Sequence, residues 1–221
     1  MTRKTVALAV SLLASTVSWA GAQAKSAKKT AEAQTAVTRF VVAPTGNEAR
    51  YRVREQLVNL DLPNDAVGVT RDITGALLVN PNGSVVTDSS RIVVNVAALR
   101  SDKDRRDAFI KKNTMETAKY PTVTLVPKSF VGLTAKPGDS PCVFDIVGDL
   151  TVHGVTRPVT WKAIAHSEGS DIVGTATTAF TFKDFSLDQP KVSVLLSVED
   201  TIKLEYDFRF TPASRGSAAA K

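Results

Sequence analysis

Cysteine is nearly absent from this chain, and so is histidine: one Cys, Cys142, and two His stand among 221 residues. Any fold it adopts therefore stands without an intramolecular disulfide. So few Cys and His also leave little raw material for a structural zinc site. There is no Gly-x-Ser-x-Gly stretch and no Gly-rich phosphate loop, so the common hydrolase and nucleotide-binding motifs offer no chemistry here. After the first two dozen residues no apolar run reaches the ~20 residues of a membrane-spanning helix. The formal net charge is a mild +6, with much of the excess near the two ends. That is weak support for nucleic acid, which is not expected as a partner, and is equally suited to loose contact with an anionic membrane surface.

What is present begins with an export pattern. Arg3 and Lys4 precede a mostly apolar stretch, Thr5 to Trp19, and then Ala20-Gly21-Ala22. This order predicts a signal peptide over residues 1–22, cleavage before Gln23, and a periplasmic or secreted protein. Residues 23–48 are read as a flexible linker, 49–211 as one β-rich domain, and 212–221 as a disordered tail.

Within the domain the dominant signal has period two. Val198, Ile202, Leu204, Tyr206, Phe208 and Phe210 fall on one face, and Glu199, Thr201, Lys203, Glu205, Asp207 and Arg209 on the other. Successive strand side chains point to opposite faces, so this is a strand with one buried face and one wet face. Tyr51, Val53 and Leu57 alternate in the same way, as do Phe144, Ile146, Leu150 and Val152. So do Val159, Trp161 and Ala163, and again Ala176, Phe180 and Phe182. Pro81-Asn82-Gly83 reads as a hairpin turn. A helix is expected over Ser101–Asn113, with Ser101 able to cap and with Phe109, Ile110 and Met115 offering apolar surface over one end of the fold. The count is seven to nine one-sided strands and one short helix. Such a sheet must close on itself or stack on a second sheet. The class is all-β: an eight-stranded antiparallel barrel, or from pattern alone a two-sheet sandwich.

Three segments resemble the YceI-like family of lipid- or polyisoprenoid-binding proteins. One runs from Arg106-Asp107 to Lys119-Tyr120-Pro121. The most specific is Gly148-Asp149-Leu150-Thr151-Val152-His153-Gly154-Val155-Thr156-Arg157-Pro158-Val159. The last starts at Gly174-Thr175-Ala176, passes through Phe182-Lys183-Asp184-Phe185-Ser186-Leu187, and ends in Val198 to Phe210. The resemblance implies a lipocalin-like eight-stranded barrel with an apolar cavity, export, and often a dimer. It departs from the family near its start: Arg50-Tyr51-Arg52-Val53-Arg54-Glu55-Gln56-Leu57 stands where a Trp, an Asp and a His-Ser pair are usual. Phe109-Ile110 stands where the family often has His-Leu.

The expected ligand is a long apolar molecule such as an isoprenoid, a quinone or an acyl chain. Its walls would come from Tyr51, Val53 and Leu57; from Phe109 and Met115; and from Phe144, Ile146 and Leu150. Trp161, Gly174, Ala176, Phe180, Phe182, Leu204 and Tyr206 complete the set. Gly174 and Ala176 would leave room for the ligand, unless they pack closely against a neighbouring strand. Glu55 is in phase with the inward residues, where it would meet a ligand head group, pair with an Arg, or sit at a wet rim. Asp149 and His153 share a face and suggest a general-base pair. With no companion nucleophile, a solvated face entering a Gly turn is the stronger reading. No catalytic residue, metal or cofactor is expected. The rival functions are an enzyme acting on a small apolar substrate in the same cavity, and a ligand-free structural or stress protein.

Overall fold

The computed structural model describes residues 36–133 and 136–213. Residues 1–22 of the expected signal peptide, the first part of the linker and residues 214–221 of the tail lie outside them.

The strongest alternation in the sequence becomes the longest strand. Ile202, Tyr206, Phe208 and Phe210 are buried and Leu204 on the same face is half-buried, while Lys203, Glu205, Asp207 and Arg209 between them face outward. In chain order the strands are β1 (Thr38–Val42), β2 (Glu48–Leu57), β3 (Asn64–Thr70), β4 (Ile73–Val79) and β5 (Arg91–Asn95). After helix α1 (Asp104–Phe109) follow β6 (Thr122–Val131), β7 (Cys142–Val152), β8 (Val155–Glu168), β9 (Asp171–Thr181) and β10 (Leu195–Pro212). All pairings are antiparallel, and each strand from β4 to β10 pairs with the next. β10 then pairs with β1, which pairs with β4 and closes the ring. The fold is a closed eight-stranded antiparallel barrel, and the sandwich alternative is excluded.

The ring is continued by β2 and β3. β2 takes the same edge of β10 as β1, further toward its N-terminal end, and β3 pairs with β2. β1 and β2 are thus two halves of one interrupted strand, and β3 and β4 are two halves of the next. Asn47 sits buried in the first interruption. Its amide donates to the Ala43 carbonyl at 2.8 Å, and its carbonyl accepts from the Tyr206 hydroxyl and the Arg209 amide at 3.0 Å each. A side chain thereby replaces the ladder bonds that the break would leave open.

Two boundaries differ from the sequence reading. The barrel begins at Thr38, inside the segment read as linker, because Phe40 turns inward as a core residue of β1. A five-residue strand after an Ala- and Lys-rich stretch is too short for its alternation to stand out. The helix is also shorter than expected. Ser101 does not cap it but accepts a bond from the Lys103 amide, and regular helix runs from Asp104 to Phe109 before a wider turn over Ile110–Thr114. The Pro81-Asn82-Gly83 turn is as expected, with Gly83 at φ +83°.

One end of the barrel is filled. Phe40, Ile73, Phe144, Ala163, Ala165, Ala176, Phe208 and Phe210 are buried there or near it. Tyr206, Phe208 and Phe210 follow one another with ring centroids 5.7 Å apart. The other end is not filled.

Candidate functional site: an apolar cavity at one end of the barrel

A cavity of about 550 Å³ occupies the unfilled end, within the ~300–1,000 Å³ usual for small-molecule sites. Val53 and Leu57 of β2, Phe180 of β9, and Ile202 and Leu204 of β10 form one wall. Val96, Leu99, Phe109, Ile110 and Met115 form the wall on the helix side. The segment between β9 and β10 supplies Leu187, Pro190, Val192 and Val194, and the start of β10 supplies Leu195. A second cavity of about 90 Å³ adjoins it deeper in the barrel, sharing Tyr51, Val96, Leu99, Val123 and Leu204 and bounded by Leu150, Trp161 and Tyr206. At the opposite limit Lys103, Arg105 and Val194 line the large cavity while remaining exposed. That end is its mouth.

Four charged side chains line this otherwise apolar space: Glu55, Lys103, Arg105 and Arg106. Glu55 is buried in β2 and takes a 2.6 Å ion pair from Arg106 of α1. Arg106 also bonds Asp102 one turn earlier. Burial works against charge on Arg106, but Glu55 and Asp102 outweigh it and raise its pKa. Of the readings open for Glu55, the structure selects the pair with an Arg. Asp107 accepts from the Ser101 amide at 2.9 and 3.1 Å and fastens the start of the helix. The Arg106-Asp107 pair therefore ties α1 to the barrel in two directions.

Tyr51 lies flat over Gly68, its cross-strand partner. A Cβ on Gly68 would come within 2.2 Å of the Tyr51 ring. Burial pushes the phenols of both Tyr51 and Tyr206 up in pKa, so both stay neutral hydroxyls. The Tyr206 hydroxyl is committed to Asn47. The Tyr51 and Thr114 hydroxyls are buried without a hydrogen-bond partner, both on residues that line the large cavity.

Of the expected wall residues, the structure gathers Tyr51, Val53, Leu57, Phe109, Met115, Phe180, Phe182 and Leu204 around the large cavity. Leu150, Trp161 and Tyr206 border the small one. Phe144, Ile146, Gly174 and Ala176 border neither. The room expected beside Gly174 and Ala176 is not there. A Cβ on Gly174 would lie 2.3 Å from the Ile164 carbonyl oxygen and 2.6 Å from Phe208, and Ala176 is 2 % exposed. Small residues on that face admit neighbouring strands and rings, which is the close-packing alternative. The Leu187–Leu195 wall was missed because it has no alternation to read. Its apolar residues are scattered among Asp188, Gln189, Lys191 and Ser193.

His153 is not part of a base pair with Asp149. Asp149 faces outward to Lys128 at 2.7 Å. His153 and Gly154 form the β7–β8 turn, at φ +52° and +75°. The His153 Nε2 lies 2.6 Å from Glu116, and its ring stands edge-on to Tyr120 at 4.6 Å. A Cβ on Gly154 would come within 2.7 Å of the Tyr120 ring. The His-Gly pair thus holds the segment that follows the helix, packed more closely than a solvated face would be.

The family model of the YceI-like domain matches residues 16–210. The chain belongs to the YceI-like family. A UPF0312 protein of Pseudomonas putida is 35% identical over 116 residues, which are 48% of this chain and 57% of that protein. The chain thus aligns with little more than half the length of this relative. Protein YceI of Escherichia coli O6:H1 is 28% identical over 145 residues, 60% of this chain and 72% of that protein. Among solved structures, a polyisoprenoid binding domain from Saccharophagus degradans, implicated in plant cell wall breakdown, superimposes with a TM-score of 0.61 at 12% identity. It covers 80% of this chain and 100% of that domain. BcnA of Burkholderia cenocepacia gives 0.57 at 14% identity, covering 76% of this chain and 98% of BcnA. These likenesses are of fold, and the YceI-like barrel is the fold described above.

Proposed function

We propose that this YceI-like protein is a binding protein and not a catalyst, holding one long apolar molecule of isoprenoid-like or acyl type for carriage or storage. The observation that carries the reading is the cavity of about 550 Å³, walled by aliphatic and aromatic side chains from β2, β9, β10 and the helix and open at one end. Each methylene moved from water into such a space is worth ~0.8 kcal/mol, so a chain of modest length binds without any reactive group. The polyisoprenoid binding domain of Saccharophagus degradans shares this fold and gives the ligand class its support. The Tyr51 and Thr114 hydroxyls, unpaired beside the cavity, suit a ligand with an oxygen-bearing end, since a buried hydroxyl left unpaired costs ~1–3 kcal/mol.

Export to the periplasm or beyond belongs to the same proposal, on the strength of the Arg3-Lys4 start, the short apolar stretch and the Ala20-Gly21-Ala22 site. So do transient contact with a membrane surface and a dimer, the latter read from the mass of the protein in solution. Organic extraction of purified protein followed by mass spectrometry tests the binding role. About one lipid per chain is the expected result. Protein that yields no lipid and takes up no added farnesol overturns it. N-terminal sequencing of natively located material tests export, with Gln23 as the expected first residue.

A further inference from the structure

The apolar surface does not stop at the mouth. Leu62, Leu196, Val194, Val58 and Leu60 are 75, 64, 59, 52 and 44 % exposed. They sit on two neighbouring segments, the β2–β3 loop and the start of β10 with the residue before it, joined by the Val58 amide bonding the Val194 carbonyl at 3.0 Å. Val194 belongs to both surfaces: it lines the cavity and faces solvent. The side chains just inside, Leu57 and Leu195, are a cross-strand pair of the cavity wall. An unbroken apolar path therefore leads from the outside of the protein into the site. The rest of the barrel wall carries charge at Arg50, Arg52, Lys162 and Glu205, and its other exposed apolar residues, Val131, Val143 and Ile164, do not line the cavity.

We infer that this rim docks on a lipid bilayer, so that the ligand passes between membrane and cavity without crossing water. The inference rests on the lipid-binding reading of the cavity and names the surface that serves it. A bilayer is the occupant that the chemistry favours. Leucine and valine at loop tips reach into the acyl boundary, and an apolar tail drawn through water would lose its burial at every methylene. Cations flank the same opening. Lys103 and Arg105 line the mouth, and Lys191 lies on the segment leading to β10. Arg105 and Lys191 have no carboxylate within salt-bridge distance among the described residues. Their stems can lie along the apolar rim with the charge at the headgroups. Asp61, Asp104 and Asp188 lie on the same segments, so apolar insertion supplies most of the attraction and anionic lipid adds to it. A second copy of the chain on this rim would bury the same leucines but would seal the mouth.

Flotation with phosphatidylcholine vesicles, with and without phosphatidylglycerol, is the test, using the full mature chain. Wild-type protein is expected to float with both, more with the anionic set. Leu62→Asp/Leu196→Asp changes two exposed residues that do not line the cavity. It should lower the vesicle-bound fraction by at least about tenfold and leave farnesol uptake from solution as in the wild type. Val143→Asp, at an equally exposed site on the barrel wall, should float as the wild type does. Wild-type protein that takes up farnesol but ignores both vesicle types overturns the docking inference alone. So does a double variant that floats unchanged, a double variant that loses farnesol uptake together with vesicles, or a Val143→Asp variant equally impaired. Wild-type protein that takes up no farnesol removes the cavity reading on which the docking depends.

Discussion

At the scale of single residues, one contact decides how the helix meets the barrel. Glu55 is buried in β2, and its partner Arg106 comes from α1, 51 positions away. A carboxylate buried without a partner would be costly, and so would a guanidinium. Removing one of them is therefore worse than removing both. Glu55→Ala is expected to destabilise the protein by about 3 kcal/mol, and so is Arg106→Ala, while Glu55→Met/Arg106→Met should recover most of the loss. Urea unfolding of the four proteins checks this. A double variant as unstable as the sum of the two singles would mean that the pair is not the coupled unit the 2.6 Å contact describes. Gly68 makes a second residue-level test. Gly68→Ala would drive a methyl into the Tyr51 ring, where the available space is 2.2 Å. The ring must lift toward the cavity. Loss of both stability, by ~1–3 kcal/mol, and extractable lipid is expected. Unchanged lipid content in a folded variant would show that the ring moves elsewhere.

At the scale of elements, β9 separates the filled end of the barrel from the empty one. Ala176 faces Ala163 and Tyr206 across its two strand pairings, and all three are buried. Phe180 and Phe182, further along, border the cavity. Ala176→Trp should therefore overpack a closed region and lower stability by ~1–3 kcal/mol or more, with or without lipid present. Ala66 of β3 is a cavity-lining residue of the same size. Ala66→Phe should fold and retain less lipid. Thermal melts and lipid content of the two variants decide, and the opposite pattern would reverse the assignment of the two ends. The sequence already carried the strands, because alternation survives wherever one face is wet: β2, β7, β8, β9 and most of β10 are legible in that way. It also carried the helix and eleven of the fifteen wall residues now found beside a cavity. It did not carry where the barrel is hollow. Alternation marks the inward face along its whole length, but volume depends on what the opposite strands place there. Gly174 looks like space in sequence and is filled by Phe208 in the fold. Glu55 was legible as inward, yet its partner was not, since nothing local in the chain points from β2 to Arg106.

At the scale of the molecule, stability rests on the seam where the chain's last strand meets its first. β10 pairs with β9 on one edge and with β2 and β1 on the other, so the barrel closes only if β10 is held on both sides. The outer face of that seam carries a charge ladder. Glu205 of β10 receives Arg50 and Arg52 of β2, each at 3.2 Å, and Lys203 at 3.3 Å. Arg50 also reaches Asp207 at 2.7 Å, and Arg52 reaches Asp65 of β3 at 3.1 Å. Partial burial pushes the Glu205 carboxyl up, but the hydrogen bonds from Arg52, Arg50 and Lys203 outweigh it and hold its pKa down, from 4.5 to about 2. A carboxylate with a lowered folded-state pKa binds its proton more readily in the unfolded chain. Its stabilisation is complete above pH 4.5 and is lost as the pH falls toward about 2. Glu168 and Asp171 are also lowered, by hydrogen bonds from Arg209, but Glu168 is exposed and Asp171 only half-buried, so solvent weakens their contribution. Glu205 is the best shielded carboxylate of the ladder, at 14 % side-chain exposure. Acid unfolding is therefore expected to begin at the seam. The midpoint of thermal unfolding should fall through that pH window, and Glu205→Gln should start lower at neutral pH and lose less on acidification. If the wild type and Glu205→Gln melt in parallel across the window, the seam is held by its backbone ladder and the side-chain charges are incidental to closure.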